Sequence, residues 1–260
     1  MRRSEGCRTD WRASFDATLL ELLETVPYGS LLQTLTQEAS RRGLVTGEGR
    51  PLHFIAQSEL PVGASYEAWI ASTGGVPTRD NAHDRYNALM WLHCPHTKAA
   101  LNRVQAQALT QQTDRSRRGP MRDIATLWDE NLLVLVAATP AQAERCHRAL
   151  RTHDWPTLFI RDRSAWFHDW HPRVFGHALM EKLCRPFKAI TAHSLIVTSE
   201  SADWSCLDVL LAERVNSGPT PRPFLPLPVM GIPGWDAANQ QPEFYDDPQV
   251  FRAPRARSPA

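Results

Sequence analysis

The sequence predicts an α+β fold: a single mixed domain with an antiparallel β-hairpin, several packed helices and a proline-rich C-terminal strap. Three observations carry this. Stretches with helical spacing of apolar residues interleave with short β-rich runs. A chain of 260 residues, 42% hydrophobic, is enough for one core. Half of its 20 prolines fall in the last 43 residues, where regular structure should end. The domain is expected over residues 1–217, the strap over 218–252 and a disordered tail over 253–260.

Ser14 can cap a first helix on which Phe15, Leu19, Leu22 and Leu23 recur at helical spacing, and Leu31, Leu32, Leu35 and Ala39 mark a second that ends near Gly43. Leu52 to Ala56 is short enough for a strand or a buried loop, and Tyr66 to Ile70 is helical until Thr73-Gly74-Gly75-Val76-Pro77 interrupts. Residues 82–93 and 96–112 read as two helices separated by Pro95, which removes a backbone donor and biases the preceding residue away from helix. In IATLWDENLLVLVAA, two β-rich runs flank Asp129-Glu130-Asn131, which predicts the hairpin. Thr139 then caps a helix that starts at Pro140, and Leu158 to Ile160 is a short strand candidate. Val174 to Cys184 should be helical, Ile190 to Val197 a strand, and Ala202 to Val215 a helix. In the strap, Phe224, Leu227, Val229, Ile232, Trp235, Phe244, Tyr245 and Phe251 interrupt the prolines. Such apolar density favours an extended segment docked on the domain over a disordered one.

Composition narrows the function. Lys and Arg number 29 against 28 Asp and Glu, so no global field steers the chain to nucleic acid or to an anionic membrane. No stretch approaches the ~20 apolar residues of a membrane span. The five cysteines are scattered without a C-x-x-C pair, unlike a disulfide framework or a zinc ribbon. Together these place the protein in the cytoplasm, with an unidentified small molecule or protein as partner and nucleic acid disfavoured. There is no P-loop, G-x-G-x-x-G or G-x-S-x-G motif.

The densest polar motif is VPTRDNAHDRYNALMWL. On a helix His83 and Asn87 share a flank, while Asp84 points about 100° from His83. Asn81 as N-cap with Asp84 as a third-position acid is one reading; His83 as general acid, general base or metal ligand, oriented by Asp84 or Asn87, is the other. In VFGHALMEKLCRPFKAITAH, helical spacing lines up His177, Glu181 and Cys184 on one face, opposite Phe175, Leu179 and Leu183. That face could hold a zinc-type ion or be a solvated surface, and His193 joins it only if the following strand returns beside the helix. His93 with His96, and His168 with His171, read as surface imidazoles. Arg115, Arg117, Arg118 and Arg122 form the one compact basic run, an anion-binding candidate at Arg118 and Arg122 or a solvated loop. Asp129 and Glu130 look like paired carboxylates, but their predicted turn position explains them.

These motifs, with RGPMRDIATLWDEN and PLPVMGIPGWDAANQQPEFYDDPQVFR, resemble the bacterial domain-of-unknown-function family no. 3025 over roughly residues 60–252. The resemblance implies no activity or cofactor. It does imply that Asn81, His83, Asp84, Asn87, Arg118, Arg122, Asp123, Asp129, Glu130, His177, Glu181, Lys182 and His193 lie in family motifs, whereas His93, His96 and Cys184 fall outside them. The sequence thus points to an enzyme-like polar cleft of His83, Asp84, His177, Glu181 and His193, metal-assisted or general acid/base and hydrolytic, with a divalent metal as the conceivable cofactor. The alternative is a non-catalytic binding or scaffold protein whose polar motifs are structural.

Overall fold

The computed structural model describes residues 11–111, 119–218 and 224–254. Helices α1 (Ala17–Thr25) and α2 (Tyr28–Arg41) open the chain. Asp16, not Ser14, caps α1: its carboxylate accepts the N–H groups of Thr18 and Leu19, while the Ser14 hydroxyl bonds back to the Trp11 carbonyl. Strands β1 (His53–Ala56) and β2 (Gly75–Thr78) pair in parallel around α3 (Tyr66–Thr73), so the glycine-rich interruption is itself a strand. Then come α4 (Ala82–His93) and α5 (Pro95–Gln111), divided at Pro95 as expected.

The predicted hairpin does not form. Residues Pro120–Asn131 are a helix, α6, which runs without a loop into strand β3 (Leu132–Ala137). Proline at the first helical position and burial of Ala125 and Trp128 on one face settle it: the 3.6-residue period of this segment outweighs its β-rich composition. Asp129-Glu130-Asn131 is therefore the last turn of a helix and not a β-turn. Strand β3 is buried at every residue because it lies inside a four-stranded sheet, between β4 (Trp170–Val174), to which it is antiparallel, and β5 (Thr191–Thr198), to which it is parallel. A strand covered on both faces has no alternation to reveal.

Helix α7 (Pro140–Thr152) starts at Thr139 with the capping box expected there. Leu158 to Ile160, read as a strand, belong to a π-helical turn over Thr157–Arg161. Short α8 (Ala165–His168), α9 (His177–Cys184) and α10 (Trp204–Asn216) complete the helices. The expected helix over 174–184 begins later, because its first residue belongs to β4. Strand β6 (Leu225–Pro228) pairs antiparallel with β5, and Leu227, Val229, Met230, Ile232, Phe244, Tyr245 and Phe251 are buried on it and beyond it. Residues 255–260 of the expected tail lie outside the described residues. Among the described residues no helix is long and apolar enough to cross a membrane.

Candidate metal centre

Five helices meet around one polar cluster, and a glycine brings two of them together. Gly176 is the N-cap of α9, and a Cβ there would lie 2.5 Å from the Glu130 carbonyl and the Asn131 nitrogen. Only glycine lets the start of α9 press against the end of α6. The Gly176 N–H donates to the Leu132 carbonyl at 2.9 Å, which locks the junction and sets His177 beside Asp129 and Glu130. His83, in the first turn of α4, comes in from the other side.

The two imidazoles face each other through their Nε2 atoms, 3.0 Å apart. Glu130 Oε2 lies 3.6 Å from His177 Nε2 and 3.9 Å from His83 Nε2. A triangle with sides of 3.0, 3.6 and 3.9 Å is circumscribed by a circle of radius about 2.1 Å, the length of a zinc–imidazole or zinc–carboxylate bond. The ligand atoms of His83, Glu130 and His177 all lie within 4.8 Å of one another. One of the two far ring nitrogens is held as ligand histidines are held elsewhere. His83 Nδ1 meets Glu181 Oε2 at 3.1 Å, whereas His177 Nδ1 is buried without a hydrogen-bond partner, with Asp129 Oδ1 3.9 Å away. With an acceptor at its Nδ1, the His83 tautomer that carries its proton there turns the Nε2 lone pair toward His177. A cation or a proton carried by His177 Nε2 satisfies that lone pair.

Behind the triad runs a buried chain of polar groups. Lys98 Nζ donates to Asp129 Oδ1 and, at 2.8 Å, to Asn87 Oδ1; Asn87 Nδ2 donates to the Tyr66 hydroxyl at 2.9 Å. Lys98 is 3% exposed, so its charge is acceptable only because Asp129 answers it. Burial raises the Asp129 carboxyl, but Lys98 and then His177 outweigh it and hold the group below its ordinary range. Burial drives His177 down to about 4, against the pull of Asp129, so the ring is neutral at pH 7 and able to ligate. Glu130 is shifted up, first by burial and then by Asp129, which a bound cation would reverse. A cavity of about 430 Å³ adjoins the cluster, lined by Tyr66 and Glu67 of α3, Gln105 of α5, and Arg122, Asp129 and Glu130 of α6.

A family model described as "Protein of unknown function (DUF3025)" matches residues 52–255. The chain belongs to this family. No curated protein and no solved structure matches it. The DUF3025 region begins beside β1, omits α1 and α2, and takes in every residue of the polar cluster.

Within this DUF3025 region the structure joins His83, His177 and Glu181 and separates the others. Asp84 turns away: its carboxylate receives the Arg79 main-chain N–H at 2.6 Å and the guanidinium at 3.0 Å, and its own N–H donates to the Asn81 cap. His193, third in β5, lies opposite Leu132 and pairs with the Asn131 amide at 2.9 Å, one residue from Glu130; among the described residues no bond links it to His83 or His177. Arg122 lines the cavity, while Arg115, Arg117 and Arg118 lie outside the described residues. Cys184 leaves the expected stripe to meet the Tyr86 hydroxyl at 3.0 Å. His93, expected at the surface, packs against Phe15 and Trp204 and is pushed to about 4 by burial.

Sequence reasoning misses Lys98 and Glu67, and sets Asp129 and Glu130 aside as turn residues. The signal for the last two is nonetheless present. Arg122, Thr126, Asp129 and Glu130 recur at helical spacing, so reading 120–131 as a helix places them on one face.

Proposed function

We propose that this chain holds a divalent ion of zinc type on His83, His177 and Glu130 and uses it to activate water for hydrolysis of a small substrate bound in the adjoining cavity. The observation that carries the reading is the pair of Nε2 atoms 3.0 Å apart with a carboxylate beside them and an acceptor behind the His83 ring. Three protein ligands leave a coordination position for water, as catalytic zinc sites do and closed structural sites do not. The cavity falls in the ~300–1,000 Å³ range of small-molecule sites, and its wall is shared with the ligand Glu130. Asp129 and Glu181 would orient the rings, and Lys98 would keep Asp129 ionised. A cytoplasmic location goes with this reading, since Cys94, Cys146, Cys184 and Cys206 are free thiols.

Elemental analysis of protein purified without chelators tests it. One metal per chain is expected, lost in His83→Ala and in His177→Ala. Metal-free protein that also takes up no Zn²⁺ in titration overturns the reading and leaves the polar cluster as a structural hydrogen-bond network.

A further inference from the structure

Of the carboxylates around this centre, three have work assigned. Glu130 is a ligand, Asp129 answers Lys98, and Glu181 holds His83 Nδ1. Glu67 is left over. It lies in the first turn of α3, on the wall of the cavity that Asp129 and Glu130 of α6 also line. Its position is fixed by Asn102, itself 1% exposed, whose Nδ2 donates to Glu67 Oε2 at 2.8 Å and to the Glu67 main-chain carbonyl at 2.9 Å.

The groups facing it are Asp129 and Glu130 from α6, Lys98 from α5, and Tyr66 beside it, with Arg122 and Gln105 elsewhere on the same wall. Lys98 is engaged by Asp129 and only partly offsets the repulsion of Glu67 by Asp129 and Glu130. A glutamine would serve Asn102 equally well without that repulsion. An ionisable group kept where a neutral one would be more stable is a mark of proton chemistry.

We propose that Glu67 is the proton-transfer residue of this centre, taking a proton from the attacking water and delivering it to the leaving group. The proposal rests on the metal-hydrolase reading above. The water oxygen forms the new bond to the electrophilic carbon or phosphorus while its O–H electron pair stays on oxygen and its proton moves to a Glu67 oxygen. The bond to the leaving group breaks with its electrons on that group, which takes the proton back. One water is consumed, Glu67 is regenerated and nothing is oxidised. In the metal-free chain burial first, then repulsion from Asp129, moves this carboxyl up to about 7.

The test uses Co²⁺ as the probe on the full chain and needs no substrate. The visible absorption of bound Co²⁺ is followed between about pH 5 and 9 in wild type and in Glu67→Gln, with circular dichroism to verify folding. The wild-type spectrum should titrate in a step near neutrality, and Glu67→Gln should bind Co²⁺ stoichiometrically with that step lost or moved by about a pH unit or more. Bound Co²⁺ with the same step in both proteins overturns the role of Glu67 and leaves the metal centre standing. Failure of the wild type to take up Co²⁺ overturns both.

Discussion

The helical centre and the aromatic layer under the strap are both well buried, yet they are built on opposite principles. In the aromatic layer Phe159 stacks on Trp166 at 5.7 Å and on Tyr245 at 5.3 Å, with Phe251 edge-on at 5.8 Å. Gly231 has no side chain because a Cβ would sit 2.7 Å from the Phe159 ring. The polar atoms there go to main-chain groups of the strap. Asn239 Nδ2 donates to the carbonyls of Met230 and Ile232, and Trp155 Nε1 donates to that of Arg252. The helical centre instead buries Lys98, Asp129 and His177 and sets Glu67 against carboxylates of its own sign. Apolar residues of similar volume would hold α3, α4, α5, α6 and α9 together at least as well. The comparison separates burial that makes the fold from burial that the fold tolerates for chemistry.

The largest effects should come from reversing the two principles. Phe159→Ala removes a fully buried ring from the stack, at a cost of about 3–5 kcal/mol in chemical unfolding. Metal uptake by the folded fraction should stay at one ion per chain; loss of uptake would show that the two regions are not independent. Asp129→Ala should cost about 3–5 kcal/mol as well, because it strands the Lys98 ammonium. The double variant Lys98→Met/Asp129→Leu should recover most of that stability while weakening Zn²⁺ affinity by about 10- to 100-fold through the loss of the group behind His177. A double variant as unstable as Asp129→Ala would mean that the pair is structural, and the contrast between the regions would fail.

Acidity gives a smaller effect of definite sign. Glu67 has a folded value of about 7 against an ordinary 4.5, so between those limits the native state holds a proton that the unfolded chain has released. Its contribution to stability is present at low pH and is lost as pH rises toward 7. His177, depressed to about 4 from 6.5, works the other way: the unfolded chain binds the extra proton, and stability falls as pH drops through that window. In metal-free protein Glu67→Gln should therefore be nearly silent near pH 5 and stabilising near pH 8, on the order of 2 kcal/mol after allowing for partial exposure. Thermal unfolding at the two pH values checks this, and equal shifts at both would remove the case for a strained carboxylate.

How far the sequence reveals this arrangement depends on the range of the interaction involved. The cap at Thr139, the break at Pro95 and the apolar density of the strap act over a few residues, and all are readable from the local pattern alone. Strand β3 and helix α6 mislead because LLVLVA has no period to set against the helical one, and the apparent turn chemistry of Asp129-Glu130-Asn131 fills the gap. Of the centre, His83, His177 and Glu181 stand out in their motifs, but what joins them is a junction made by Gly176, 45 residues along the chain from Asn131. Lys98 is hidden for a different reason. A lysine in a polar helix pattern reads as solvent-facing, and only the packing of α5 against α6 buries it.

The smallest expected change in stability carries the sharpest test of the comparison. His83 is 29% exposed, touches Glu181 and His177 through its ring alone, and sits in the first turn of α4, where Asn81 and Asp84 do the capping. His83→Ala should therefore move the metal-free unfolding free energy by about 0.5–1 kcal/mol at most. Added Zn²⁺ acts by mass action on the native state alone, and at about 100 times its dissociation constant contributes about 2.7 kcal/mol. That increment should raise the wild-type melting temperature and be absent in His83→Ala. If the ring were only a helix-end hydrogen-bonding group, the two proteins would differ without zinc and respond to it alike. If it is a ligand, they agree without zinc and part company with it.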